Sequence, residues 1–235
     1  MKVTIIVPSM NELEGLKTHL PQIKKEWYDQ LIVLIGQPQK DNSEQWCIDN
    51  GYQIFYGTGL GLWKDYTKLF KSEMVRGDII ITLSPDGNSA ISAIPQLIDK
   101  IKSGYDLVIA SRYLNRNKSK DDTRTTAIGN KTSTWLVNCF SKYKYTDALV
   151  IYRAYKIGII EELGLLNKTN WLQNQLINLS NLYSYEPSLS IRAGRMPLKI
   201  SEIFSIEPKA YRERRQRTWV HSLMILAQIL HEGLR

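Results

Sequence analysis

Cysteine is scarce in this chain of 235 residues, with only Cys47 and Cys139. Each falls in a stretch with helical spacing. There is neither a disulfide framework nor a zinc-ligand pattern, and a reducing compartment is expected. His221 and His231 would point to different faces of one helix, so they are not read as a metal pair. Long apolar runs are missing too, and none approaches the ~20 residues that a membrane-spanning helix needs. The opening Met1–Pro8 is too short and too soon broken for a signal peptide. These absences predict a cytoplasmic protein, whose contact with a membrane would be peripheral and on the inner face. No internal repeat and no low-complexity tract occurs.

Charge, by contrast, is plentiful and unbalanced. The net charge is +8. Between Arg192 and Arg217 lie eight Lys or Arg against three Glu (202, 207 and 213). A basic surface suits an anionic partner such as a nucleotide diphosphate or a phospholipid headgroup, or else is simply solvated. Nucleic acid is not expected, because only charge speaks for it and no recognition motif does.

The length suits one α/β domain with a sizeable core and a short C-terminal extension. We place the domain over residues 1–208, with a basic loop and amphipathic helix over 209–235. Val3–Val7, Leu31–Ile35, Ile79–Leu83 and Leu107–Ala110 are nearly continuous apolar runs, as expected of strands buried on both faces of a parallel sheet. Gln53–Tyr56 is a weaker fifth. Between them, Trp63, Tyr66, Phe70 and Met74 recur at helical spacing. So do Ile94, Leu97, Ile98 and Ile101, with Pro95 acceptable in a first turn. This β–α alternation predicts an open, mainly parallel α/β sheet flanked by helices. Leu114–Thr123 reads as a loop, 127–140 as a helix, and 145–207 as a second mixed region. Thr218–Leu234 reads as an amphipathic helix with Trp219, Leu223, Leu226, Leu230 and Leu234 on one face. That face would meet the core, a second subunit in a homodimer, or a membrane interface.

Ligands of such sheets sit at the carboxyl ends of the strands. There the chain reads Pro8-Ser9-Met10-Asn11-Glu12, Gly36-Gln37-Pro38, Ser84-Pro85-Asp86-Gly87-Asn88 and Ser111-Arg112-Tyr113. Asp86 and Asn88 are hard oxygen ligands two residues apart, suited to Mg²⁺ or Mn²⁺. Taken alone, Asp86-Gly87 is an ordinary turn. Arg112 could hold phosphates through paired hydrogen bonds, or form a surface ion pair. Asn11 and Glu12 could hold a nucleotide or cap a helix. Gly57, Gly59 and Gly61 form a spaced glycine loop without the context of a dinucleotide fingerprint.

The order of these motifs is more specific than any one of them. The chain resembles the family-2 glycosyltransferases, especially their dolichol-phosphate mannosyltransferase-like branch. VTIIVPSMNELEGL resembles that family's first strand and Pro-x-x-Asn-Glu turn. ITLSPDGNSAISAIPQLIDKIKSGYDLVIASRY resembles its metal-site strand, helix and Ser-Arg-Tyr strand end. DDTRTTAIGN and YTDALVIYRAYK resemble its acceptor-side helix and Thr-Asp…Arg segment. The match is good to about Lys156 and looser beyond.

The resemblance implies a GT-A, Rossmann-like fold and an inverting, metal-dependent transferase. Its donor would be a UDP or GDP sugar, and its acceptor a lipid-linked molecule or a glycan in surface polysaccharide or glycolipid synthesis. Pro8, Met10 and Glu12 would contact the nucleotide. Ser84, Pro85, Asp86 and Arg112 would line the donor site. Asp86 would be the main ligand of Mg²⁺ or Mn²⁺, helped by Asn88. Asp147 would be a general base toward a sugar hydroxyl, or structural if the acceptor is already an anion, holding Arg153 or a helix end. The family usually has an acid where Ser84 stands, and another after the second strand, where this chain has Ile35-Gly36-Gln37. Those two departures motivate a competing reading, a non-catalytic nucleotide-sugar-binding or scaffold subunit. A sugar nucleotidyltransferase ranks lower, since no Gly-rich basic loop follows the first strand.

Overall fold

The computed structural model describes residues 1–87, 89–116, 122–167, 169–180, 183–206, 208 and 218–235. The apolar runs form strands β1 (Val3–Ser9), β2 (Gln30–Ile35), β3 (Gln53–Tyr56), β4 (Ile79–Thr82) and β5 (Leu107–Ser111). Helices α1 (Leu13–His19), α2 (Ser43–Asp49), α3 (Leu62–Phe70) and α4 (Ile94–Lys102) follow the first four in turn. The helix read over 127–140 is α5 (Arg124–Phe140), and the mixed region resolves into β6 (Arg153–Lys156), α6 (Ile159–Glu162), α7 (Trp171–Ser180), α8 (Tyr185–Arg195) and β7 (Ile200–Phe204). Helix α9 (Thr218–Gly233) closes the chain.

The seven strands form one sheet in the order β3-β2-β1-β4-β6-β5-β7. β1 pairs in parallel with β2 and β4, β2 with β3, and β5 with β7. β6 runs antiparallel between β4 and β5. Strand order reverses at β1, so the carboxyl ends of β1 and β4 form a topological switch point.

The continuous apolar runs are explained by two cores. Val3, Ile5 and Val7 face one side of the sheet, with Leu31, Val33, Ile79 and Ile81. Ile6, Ile32, Leu34 and Ile80 face the other, where Trp63, Tyr66 and the aromatic residues Tyr183 and Tyr185 pack. The apolar side chains of β1, β2, β4 and β5 are therefore withdrawn from water on one face or the other, a gain of roughly 25 cal/mol per Å² of apolar surface.

Two helix boundaries differ from the periodicity. α3 stops at Phe70, and Met74 packs on the core from the loop beyond it. α5 starts at Arg124, earlier than its apolar spacing suggests. Its start is set by Thr123, whose hydroxyl accepts from Thr126 N while the Thr126 hydroxyl accepts from Thr123 N, a capping box.

α9 is seated firmly. Ile229 is buried, and Gln228 bonds across to Ser184 and Ser188. Arg192 on α8 donates to both oxygens of Glu232, Nε to Oε2 at 2.8 Å and Nη2 to Oε1 at 2.7 Å. Burial alone would raise the Glu232 carboxyl, but the Arg192 bonds outweigh it and hold the group below its ordinary range. Leu223, Leu230 and Leu234 of the expected apolar stripe face outward, and Leu226 is half-buried. The side chain of Trp219 and the basic stretch 209–217 lie outside the described residues.

Candidate active site

The strand ends meet in a cleft of about 700 Å³. Sheet order sets its sequence of walls. Gly59, Gly61 and Asp65 follow β3, and Gly36 and Gln37 follow β2. Pro8, Met10 and Glu12 end β1, and Ser84 and Asp86 end β4. Leu149–Tyr152 lead into β6, Arg112 ends β5, and Ser205 ends β7. Ser184, Glu186 and His221 close the far side. Of the residues expected at the site, Pro8, Met10, Glu12, Ser84, Asp86 and Arg112 come together here. Pro85 is not in the cleft wall, its carbonyl lying against Gly15 of α1, and Asn88 lies outside the described residues.

The Asp86 turn is held by backbone packing. Gly87 has φ +101°, a left-handed conformation that disfavours a Cβ. Gly15 on α1 lies so close that a Cβ there would stand 2.1 Å from the Pro85 carbonyl oxygen. The absence of that side chain lets α1 press on the turn. Ser84 Oγ makes a long contact with Asp86 N at 3.5 Å, which places its hydroxyl toward the turn. Beneath it, His19 is buried, with Nδ1 3.2 Å from the Gly15 carbonyl. Burial holds its imidazole below the ordinary range, against the opposing pull of that carbonyl and of Asp86.

Glu12 begins α1 without capping it. Its carboxylate accepts instead from Met10 N at 3.3 Å, while Asp41 accepts from Leu13 N at 3.1 Å. Asn11 sits at φ +57° and bonds to the Gln39–Lys40 segment. These ties fix the β1 turn as one rim of the cleft.

Arg112 lines the cleft at the end of β5, and Asp147 stands behind it. Asp147 is fully buried, and both its oxygens are taken: Arg112 Nε donates to Oδ2 at 2.6 Å and Nη2 to Oδ1 at 2.9 Å. The Arg112 backbone N–H adds a third bond at 3.2 Å. Asp147 is absent from the cleft wall. The expectation of a general base there therefore meets a carboxylate already committed to a guanidinium. Nor does Asp147 bond Arg153, whose guanidinium donates to Val150 O, Ala148 O and Ser190 Oγ. Glu202 on β7 fixes the segment in turn. It accepts from Thr146 N at 3.0 Å, Thr146 Oγ1 at 2.8 Å and Asp147 N at 3.2 Å. Burial raises the Glu202 carboxyl despite these bonds.

Three residues that sequence reasoning passed over also face the cleft. Asp65 accepts from the Thr58 hydroxyl at 2.7 Å and so ties the glycine loop to α3. Glu186 is nearly buried, with Oε2 accepting from Ser184 Oγ. His221 comes from α9, with its imidazole lowered by burial and partly restored by Glu186. They come from segments remote in sequence, and no spacing marks them.

The electrostatics suit a bound cation. The wall carries Glu12, Asp65, Asp86 and Glu186 against Arg112, whose charge is already paired. An anionic diphosphate entering such a cleft needs positive charge, which a divalent ion supplies. Asp86 fits as its ligand. Among the described residues no three His, Cys, Asp or Glu converge to hold a metal by themselves. Diphosphate oxygens would have to complete the shell.

Comparison with known proteins places this arrangement. An undecaprenyl-phosphate mannosyltransferase of Micrococcus luteus is 22% identical over 214 residues, covering 86% of this chain and 82% of that protein. A prophage bactoprenol glucosyl transferase homolog of Escherichia coli K12 is 25% identical over 193 residues, covering 76% of this chain and 60% of its relative. In fold, the chain is similar to glucosyl-3-phosphoglycerate synthase of Mycobacterium tuberculosis, solved with Mn²⁺, UDP-glucose and phosphoglyceric acid. The TM-score is 0.66 at 16% identity, over 99% of this chain and 79% of that one. That likeness agrees with the GT-A, Rossmann-like fold. The family described as glycosyl transferase family 2 matches residues 4–164, most of the cleft-forming sheet, and the chain belongs to that family.

Proposed function

We propose that the protein is an inverting, metal-dependent hexosyltransferase that moves a sugar from a UDP or GDP sugar to a polyprenyl-phosphate acceptor, in surface polysaccharide or glycolipid synthesis. The observation that carries this reading is that Asp86, at the end of β4 beside the strand-order switch point, and Arg112, at the end of β5, line one cleft. The relatives named for undecaprenyl phosphate and bactoprenol support the acceptor class. The Mn²⁺ and UDP-glucose in the structural neighbour support the donor and ion classes.

In this mechanism the nucleotide lies against Pro8, Met10, Glu12 and Gly36, and its diphosphate lies between Asp86 and Arg112. Asp86, with Asn88 as the proposed second ligand, would hold Mg²⁺ or Mn²⁺, which would supply charge neutralisation for the departing diphosphate. Arg112 donates to the leaving oxygens as their charge develops. Asp147 is a positioning residue that keeps the Arg112 fork aimed. The acceptor oxygen attacks the anomeric carbon opposite the leaving group, its new bond forming as the bond to the diphosphate oxygen breaks, so the configuration inverts. A phosphate acceptor is already an anion and needs no base, which agrees with the engagement of both Asp147 oxygens. Glu186 reads the sugar hydroxyls. The domain at 1–208 holds most of this machinery, and α9 within 209–235 adds His221 to the cleft wall. The reaction belongs at the inner face of a membrane.

A second reading, a glycan acceptor, is favoured by one observation. Glu186 is a carboxylate facing the cleft and could serve as base to a hydroxyl. Transfer assays with polyprenyl phosphate and with oligosaccharides separate the two. A β-linked product from an α-linked donor on the lipid phosphate supports the first. A product on oligosaccharide alone supports the second. Binding of nucleotide sugars without transfer to either would favour a scaffold role.

A further inference from the structure

Helices α5 and α7 each pack against α9. A Cβ at Gly129 would stand 3.7 Å from Ser222 Oγ, and one at Gly233 would fall on the Phe140 ring. α5 and α9 therefore run in parallel contact over most of their length. At the start of α7, Asn170 Nδ2 lies 3.1 Å from His231 Nε2 of α9. Six large apolar side chains are exposed on these helices or just past them: Ile128 and Trp135 on α5, Trp171 on α7, Leu223 and Leu230 on α9, and Leu234 directly after α9. Each is between 44% and 80% exposed. Single exposed apolar residues are ordinary, but six of them, two being tryptophan, on helices that share α9 as a neighbour mark an interaction surface.

Charge on the same helices is one-sided. Arg124 and Lys131 are exposed on α5, and Lys142 just beyond it. The carboxylates carried by α5, α7, α8 and α9 are Glu186 and Glu232, and both are buried. These helices thus present tryptophan, leucine and cations outward, with no exposed carboxylate. Contact between two protein copies does not require that bias, whereas an anionic bilayer does. Tryptophan settles at the headgroup level, aliphatic side chains enter the acyl boundary, and lysine and arginine meet the phosphates.

We propose that the α5/α7/α9 face seats the protein on an anionic lipid bilayer. The proposal rests on the lipid-phosphate reading of the acceptor and adds the surface that delivers it. α9 joins the two functions. His221 lines the cleft, and Leu223, two residues on, faces outward. Ile206, half exposed, stands in the cleft wall. Seating α9 in the headgroup layer brings the acceptor end of the cleft to the lipid surface.

The test is co-sedimentation of the full chain with vesicles of phosphatidylcholine alone or mixed with phosphatidylglycerol, for the native protein, Trp135→Ser, Leu230→Ser and Lys131→Glu. All three positions are exposed, and circular dichroism and unchanged donor binding without lipid confirm that the variants fold. The expected result is binding to the anionic vesicles, weakened about fivefold or more by each substitution, with Lys131→Glu and added salt acting on the anionic vesicles alone. Sedimentation velocity gives the other outcome. A native dimer that the same substitutions dissolve, with no vesicle binding, would overturn the proposal in favour of a second copy of the chain. Absence of vesicle binding by a native monomer would also overturn it. Calorimetry with donor in lipid-free buffer reads the transferase proposal separately, so loss of donor binding with vesicle binding intact would sink that reading and leave the surface standing.

Discussion

Asp147 holds Arg112 from behind, with Nε to Oδ2 at 2.6 Å and Nη2 to Oδ1 at 2.9 Å, and keeps the guanidinium at the cleft wall while remaining fully buried itself. A carboxylate so engaged is proposed to act through the arginine. Asp147→Asn is expected to cost about 3 kcal/mol of stability, because the buried partner charge is lost. It should lower kcat/KM about 10²-fold by misaiming a leaving-group donor. Arg112→Lys should not restore activity, since an ammonium lacks the fork. The check is a pH–rate profile. Persistence of the acidic limb in Asp147→Asn fits a positioning role, and its selective disappearance with donor KM unchanged would identify a base.

Gly15→Ala should disturb the ion site without touching it. The new Cβ would meet the Pro85 carbonyl at 2.1 Å, and backbone on a strand end cannot step aside cheaply. We expect a loss of about 1–3 kcal/mol in stability and a weaker apparent affinity for Mn²⁺ in the presence of nucleotide. Gly158→Ala, where a Cβ meets nothing within 4 Å, is the control and should change neither. Equal Mn²⁺ affinity in native protein and Gly15→Ala would refute the packing argument.

Glu186→Gln should separate sugar from nucleotide. A carboxylate accepting from sugar hydroxyls contributes a charge-assisted bond, so its loss should weaken a nucleotide sugar about tenfold. The free nucleoside diphosphate, which lacks the sugar, should bind as before. Calorimetry with the two ligands measures the difference, and parallel losses for both would remove Glu186 from sugar recognition.

Acid should unseat α9. The folded Glu232 carboxyl lies below its unfolded value, so its contribution is fully present above about pH 4.5 and is lost as pH falls through the folded value. Glu232→Gln should destabilise the protein by about 3 kcal/mol at pH 7, with the gap to native protein narrowing toward acid. Thermal melts across that range give the answer, and a gap independent of pH would contradict it.

Strands β1, β2, β4 and β5 are legible in the sequence because burial on both faces leaves continuous apolar runs. β6 is not legible. Its four residues begin with Arg153 and end with Lys156, and Arg153 is buried only because Val150 O, Ala148 O and Ser190 Oγ receive its protons. No pattern of apolar residues could announce that. The β1, β4 and β5 strand ends of the site are equally legible, since each follows a readable strand. Glu186 and His221 are not, because α8 and α9 reach the cleft only through tertiary packing that the Arg192–Glu232 pair secures. Asp147 is legible as a position, and its ion pair with Arg112 is not, because the sequence shows the acid without the guanidinium it meets.

The most direct measurement is calorimetry of native protein and Asp86→Ala against UDP, GDP and CDP sugars, with and without Mn²⁺. Native protein should bind one nucleotide class and do so far more tightly with Mn²⁺, and Asp86→Ala should lose that dependence. Binding of no nucleotide sugar by the native protein, or Mn²⁺-dependent binding undiminished in Asp86→Ala, would contradict the account.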